Sequence, residues 1–154
     1  MSEPLRQSFI PSVHYRDPLA ALGWLERAFD FERSLLVVGD DPQMLHAELS
    51  FGGGHVTVGG EWTEEVRSPA SLGGKTTQTI RVNLEGDIDA HCERARSAGA
   101  RIWAEPADQF YGARTYRAID PEGHIWSFSQ VVREVSVEEM EKASGLTIHT
   151  GPRS

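Results

Sequence analysis

Cysteine is almost missing from this chain of 154 residues: Cys92 stands alone. Neither an intrachain disulfide nor a cysteine-rich zinc site can form. Long hydrophobic runs are missing as well. No stretch approaches the roughly 18 apolar residues that mark a bilayer span. The opening MSEPLRQSF lacks the basic-then-apolar pattern of an export signal. The expected setting is the cytoplasm, with no membrane partner. Basic charge is scarce, with 15 Lys and Arg against 23 Asp and Glu and a formal net charge of -8. That shortage disfavours contact with phosphate backbones, so nucleic acid is not an expected partner. It does not exclude a small-molecule pocket with local positive charge, because net charge governs solubility more than sites.

What is present reads as one globular domain over 1–154, since 39% of residues are hydrophobic and 25% charged. SFIPSVHY (8–15) alternates as a strand. Asp17-Pro18 supplies an N-cap and a first-turn proline for a helix over LAALGWLERAF. Strands follow over 31–38, 44–51 and 54–60. Residues 61–77 lose periodicity and read as a linking loop, with a plain linker preferred over a lid. The pattern then restarts. QTIRVNL (78–84) is a strand, and Asp87 caps a helix that ends at Gly99. Strands over 101–106 and 114–119 lead to the turn Asp120-Pro121-Glu122-Gly123 and the strand HIWSFSQ. Ser136 and Glu139 form a capping box for a short C-terminal helix within the tail 131–154. Laying Asp17 on Asp87 also lays Leu25 on Ala95 and Ala28 on Ala98. The chain therefore duplicates a β-α-β-β-β pattern, in modules of about 8–60 and 78–130.

The paired βαβββ order, AGARI after the second helix, HAELSFGGG and YGARTYRAIDPEGHIWSFSQ together resemble the vicinal oxygen chelate superfamily. This is the glyoxalase, bleomycin-resistance and dioxygenase group, and the likeness is to its glyoxalase-like branch. The resemblance covers roughly 8–130. It implies an α+β fold in which curved mixed sheets from two modules cup one cavity, with helices outside and a homodimer as the usual assembly. It also implies four matched metal-ligand positions, here Ile10, Glu48, Thr79 and Ser127. Only Glu48 keeps a ligand residue, so no metal cofactor is expected. The alternative is a divalent metal such as Zn, Ni or Fe held by His46, Glu48 and His55.

Strand parity sorts the remaining side chains. Ser12 and His14 oppose Phe9, Val13 and Tyr15. His46, Glu48 and Ser50 oppose Leu45, Ala47, Leu49 and Phe51. His55 and Thr57 oppose Val56 and Val58, and Thr79, Arg81 and Asn83 oppose Ile80, Val82 and Leu84. Ile125, Ser127 and Ser129 oppose Trp126 and Phe128. Periodicity alone favours polar faces that are merely solvated, whereas the resemblance implies a polar-studded cup. The candidate ligand contacts are Ser12, His14, His46, Glu48, Ser50, His55, Thr79, Arg81, Arg114, Tyr116 and Ser127. The parity of Arg114 and Tyr116 is left open by a bulge. Trp62 is either a cover for the ligand or a loop anchor, Trp24 and Trp103 are expected in packing, and Cys92 is expected to be buried and inert. His124 is read as turn structure.

Three functions are compatible with these residues. One is metal-independent binding or sequestration of a small molecule, a cationic one being suited to Glu48 and to the acidic chain. Another is a glyoxalase- or dioxygenase-type enzyme with a rearranged metal site. The third is a metal-free isomerase or lyase with Glu48 as general base.

Overall fold

The computed structural model describes residues 7–152. Asp17 Oδ1 accepts from the Ala20 amide at 3.2 Å and opens α1 (Pro18–Phe29), which ends where Asp30 turns left-handed at φ 63°. Asp87 Oδ1 accepts from the amides of Asp89 and Ala90 and opens α2 (Ile88–Ser97). These are side-chain caps of the kind that satisfy otherwise orphaned first-turn donors. Ser136 does the same for α3 (Val137–Ser144), whose left-handed C-cap is Gly145. No helix among the described residues is long and apolar enough to cross a membrane.

The strands are β1 (Ser12–Tyr15), β2 (Glu32–Val37), β3 (His46–Phe51), β4 (Gly54–Gly60), β5 (Thr79–Asn83), β6 (Arg101–Asp108), β7 (Ala113–Ile119) and β8 (Ile125–Val131). They form two four-stranded mixed sheets, ordered β1-β4-β3-β2 and β5-β8-β7-β6. β1 pairs with β4 and β5 with β8 in parallel, and every other pairing is antiparallel. The architecture is α+β with the module duplicated, as its sequence pattern implies. Boundaries shift modestly. β1 starts at Ser12 rather than near Ser8, and Phe9 is 90% exposed instead of joining the apolar face. β6 runs past Pro106 to Asp108, because two bulges carry the proline without breaking the ladder.

The apolar faces of both sheets carry the helices and meet in one core. Phe29, at the end of α1, lies 5.5 Å from the Trp126 ring and 4.8 Å from the Phe128 ring. α1 also packs on α2, where the Trp24 indole donates to the Ala98 carbonyl at 2.7 Å. Phe29 is fully buried, and removing such an aromatic costs about 3–5 kcal/mol. One module therefore completes the other.

The turn from Asp120 to Gly123 locks this junction. Asp120 is buried and accepts from the Tyr15 hydroxyl at 2.6 Å and the Trp126 indole at 3.1 Å. Its other oxygen accepts from the amides of Glu122 and His124. His124 Nε2 donates to the His14 carbonyl at 2.8 Å, so this histidine is structural, as expected. The Glu122 carboxylate accepts from the amides of Arg16 and Asp17 and from the Ser68 hydroxyl. Ser68 is completely buried, which fastens the middle of the linking loop to both modules. Gly123 sits at φ 103°, and a Cβ there would stand 2.9 Å from Pro69 Cβ. The loop and the turn therefore require a glycine at this place.

Candidate functional site

Two polar sheet faces and a cavity between the sheets are surfaces on which chemistry could occur. On the first sheet, residues in register set Leu35, Glu48, Thr57 and Ser12 in one row and Val37, His46, Gly59 and His14 in the next. Ser12 and Thr57 share a short hydroxyl–hydroxyl hydrogen bond. His14 Nδ1 donates to the Gly60 carbonyl at 3.0 Å. His46 Nε2 lies 3.8 Å from Glu48 Oε1. Ser50 stands opposite His55 at the hairpin end, where the Gln7 side chain bonds to both the amide and the carbonyl of His55.

These residues do not suit a metal ion. Among the described residues no three of His, Cys, Asp and Glu come together as a ligand group, so His46, Glu48 and His55 do not form the alternative site. Of the four matched positions, Ile10 has no donor, and Thr79 and Ser127 offer only neutral hydroxyls on the second sheet. A single carboxylate with remote hydroxyls is a poor donor set for a divalent cation.

On the second sheet the corresponding rows are Arg81, Ser127 and Arg117, then Thr79, Ile125, Ile119 and Arg101, then Asn83, Ser129 and Thr115. Two expectations change here. Tyr116 pairs with Phe128 on the apolar face and is fully buried. Its hydroxyl bonds to Nδ1 of His91 on α2, whose Nε2 donates to the Phe29 carbonyl at 2.8 Å. Burial pushes the Tyr116 phenol up and the His91 imidazole down. Arg114 also lies on the helix side and pairs with Asp89 at 2.9 Å and Asp108 at 3.2 Å. The bulges fall in β6, so β7 alternates regularly and presents Thr115 and Arg117 to the polar face instead. Trp103 is the other reversal. It is 57% exposed, and the Arg117 guanidinium lies over its ring at 5.8 Å from the centroid. Trp62 is also exposed, whereas Trp24 and Cys92 are buried as expected, and burial raises the Cys92 thiol to about 11.

A cavity of about 660 Å³ lies where the sheets approach each other. Leu49, Phe51 and Val56 line it from the first sheet, and Ile80, Val82 and Trp126 from the second. Gln7, His55, Arg81 and Asn83 add polar groups to its wall. Of the candidate contacts only His55 and Arg81 belong to it. Ser12, His14, His46, Glu48, Ser50, Thr79 and Ser127 lie on the polar faces outside its lining. His55 Nδ1 is buried and has no hydrogen-bond partner among the described residues. Sequence reasoning missed the apolar lining because strand parity assigns these side chains to core. The signal that distinguishes Phe51, Ile80 and Val82 is incomplete burial, which appears only once the modules are docked.

Comparison with known proteins agrees with this fold. The family model described as Glyoxalase/Bleomycin resistance protein/Dioxygenase superfamily matches residues 12–128. Uncharacterized proteins of Mycobacterium bovis and Mycobacterium tuberculosis are each 34% identical to this chain over 137 residues. The match covers 86% of this chain and 89% and 79% of theirs. The crystal structure of TioX from a Micromonospora species is 33% identical, with a TM-score of 0.65, over 82% of this chain and 99% of that one. A superfamily member from Sphaerobacter thermophilus, 20% identical over 80% of this chain and 98% of its own, shares the fold with a TM-score of 0.63.

Proposed function

Given that the chain belongs to the Glyoxalase/Bleomycin resistance protein/Dioxygenase superfamily, we propose that it binds a small organic molecule in the cavity between its sheets. It acts by holding that molecule, without a metal and without a chemical step. The observation that carries this reading is the cavity itself. Its volume of about 660 Å³ falls within the roughly 300–1,000 Å³ of small-molecule sites, which are mostly apolar with a few convergent polar groups. Phe51 and Trp126 suit an aromatic body. His55, with its unpaired Nδ1, and Arg81 supply polar contacts. Burying about 100 Å² of apolar ligand surface contributes roughly 2.5 kcal/mol, so moderate affinity needs no catalytic machinery. Glu48 lies outside the cavity lining, which favours binding over the general-base and metal-enzyme alternatives.

A cytoplasmic homodimer is part of the same reading. Its support is the exposed apolar edge of β2 and the residue after it, where Leu35, Val37 and Val38 are 40%, 51% and 63% exposed. An uncovered apolar edge strand is a pairing surface.

Nile red, a neutral aromatic probe, tests the cavity by fluorescence titration with and without chelator. The expected result is saturable binding that chelator does not alter and that Val56→Trp weakens at least tenfold, in a variant whose circular dichroism matches the parent. Binding unchanged by Val56→Trp overturns the cavity assignment, and binding abolished by chelator overturns the metal-free reading.

A further inference from the structure

The chain continues past the last residue matched to its family, 128, into a segment with structure of its own. The amides of Val132 and Arg133 both donate to the Gly112 carbonyl, at 2.9 and 3.2 Å, which fastens the segment to the β6–β7 turn. α3 follows and is capped at both ends. Ser136 Oγ accepts from the Glu139 amide at 3.1 Å, and the Gly145 amide donates to the Glu141 carbonyl at 2.8 Å. Glu141 also accepts from the Ile148 amide at 3.1 Å, which folds the following residues back along the helix. Even so, no residue of α3 is buried, and the helix makes no extended contact with any strand or helix of the body. Helices shorter than about 12 residues are marginal in water on their own. A helix of 8 residues held only by its caps therefore needs a surface that covers its apolar stripe.

The segment's chemistry says which surface fits. Val137 and Met140 share one side of α3, and Leu146 and Ile148 extend that apolar stripe past the C-cap. Around it the segment 131–148 sets Glu134, Glu138, Glu139 and Glu141 against Arg133 and Lys142, so it is acidic as well as apolar. Its complement is an exposed apolar surface beside free positive charge. Two exposed apolar surfaces have the wrong sign: Asp40 and Asp41 follow Val37 and Val38, and Trp62 stands among Glu61, Glu64 and Glu65. The start of the edge strand β6 has the right one. Trp103 is exposed there, Arg101 precedes it on the same strand, and Arg117 lies over its ring. Neither arginine has an ion pair among the described residues, and the carboxylate on that strand, Glu105, is paired with Arg96. The chain's own α3 starts from the opposite end of β6, beyond Asp108, and does not lie along that strand. The corner it fits is that of a second copy.

We infer that α3 is an exchanged arm: in a homodimer, the α3 of each copy lies on the Arg101, Trp103 and Arg117 corner of the other. The apolar stripe covers the indole, and the glutamates face the guanidiniums. Such an exchange uses the same two patches on both copies and closes at two. The inference rests on the homodimer reading and names a contact for it. Its ion pairs lie at the rim, so association weakens as salt rises.

The test is sedimentation velocity of the full chain and of a chain ending at Val135, each diluted in steps at low salt. The full chain is expected to dimerise, and the shortened chain to associate at least tenfold more weakly with its circular dichroism otherwise that of the folded sheets. Glu134→Lys with Glu138→Lys should weaken the dimer to a similar degree. Adding Arg101→Glu and Arg117→Glu to that same chain should restore it, because each reversed arm then meets a reversed corner. A full chain that stays monomeric overturns the proposal and the homodimer reading together. Equal association of the shortened chain overturns the arm alone, and loss of that association with Val37→Asp assigns the homodimer to the β2 edge. No recovery in the fourfold variant overturns the pairing of arm and corner. Nile red reports the cavity within one copy, so the cavity reading stands or falls separately.

Discussion

Replacing Asp120 by alanine should destabilise the chain more than any change on its polar faces. Four donors converge on this buried carboxylate: the Tyr15 hydroxyl, the Trp126 indole and the amides of Glu122 and His124. A hydrogen bond to a charged group contributes about 1.5–3 kcal/mol, and an orphaned buried donor costs a similar amount. The contributions do not add, because the donors share one acceptor and water reaches the turn amides once the carboxylate is gone. A loss of about 3–5 kcal/mol follows for Asp120→Ala. Asp120→Asn keeps the shape and one acceptor oxygen, and should lose about 1–3 kcal/mol. Tyr15→Phe removes a single donor and should lose about 1–2 kcal/mol. Burial first, and then the Asp120 charge, push the Tyr15 phenol well above its ordinary value, so it stays a neutral donor throughout the working range. Urea denaturation of the three variants and of the Tyr15→Phe/Asp120→Asn double variant provides the measurement. The double variant should lose less than the sum of its parts. For a chain of this size the alanine variant should melt at least about 6 °C lower. A loss below about 1 kcal/mol, or strict additivity in the cycle, refutes the idea that Asp120 couples the modules.

His91 gives a pH prediction. Burial lowers its folded pKa from 6.5, with Asp30 opposing that shift and Arg94 adding to it. The folded state thus binds the proton less readily than the unfolded state. The stability is present in full above about 6.5 and is lost as pH falls through that value toward the folded pKa. Denaturation midpoints should drop between about pH 7.5 and 5, and His91→Gln should flatten that dependence; equal slopes for parent and variant count against it. Gly123→Ala should cost about 1–3 kcal/mol, since it forces an alanine to φ 103° and brings its Cβ within 2.9 Å of Pro69. It should also speed proteolysis within residues 61–77, and an unchanged cleavage rate removes the link between turn and loop.

Much of this architecture was legible from residue order because the signals are local. Asp17, Asp87 and Ser136 cap helices at the places where their side chains reach the first turn. Alternation sorted β1, β3, β4 and β8 correctly, since these strands carry no bulge and each packs one face against the core. β7 was ambiguous for a physical reason: residues 114 to 117 put polar or aromatic groups at both parities, so the pattern of that strand alone cannot choose a face. Its register with β8 decides, by setting Tyr116 on Phe128 and Arg117 on Ser127. Trp103 was misassigned because a bulge is a property of two strands and leaves no mark in one. The partners of Glu122, at Arg16, Asp17 and Ser68, lie more than 50 positions away and obey no spacing rule.

The cavity was hidden for a deeper reason. Its walls are drawn from the same alternating apolar positions as the core, and parity cannot say which of those positions stay unfilled. That outcome depends on how the modules dock, and Phe29 of α1 packs against Trp126 and Phe128 at that junction. Near the Asp120 junction the sheets are tied by hydrogen bonds. Toward the β3–β4 hairpin no hydrogen bond among the described residues joins them, and Phe51, Ile80 and Val82 are left partly uncovered. The same docking leaves both polar faces turned away from the core. The cavity is therefore a consequence of module placement, and the fold persists here although Ile10, Thr79 and Ser127 offer no ligand set for a metal.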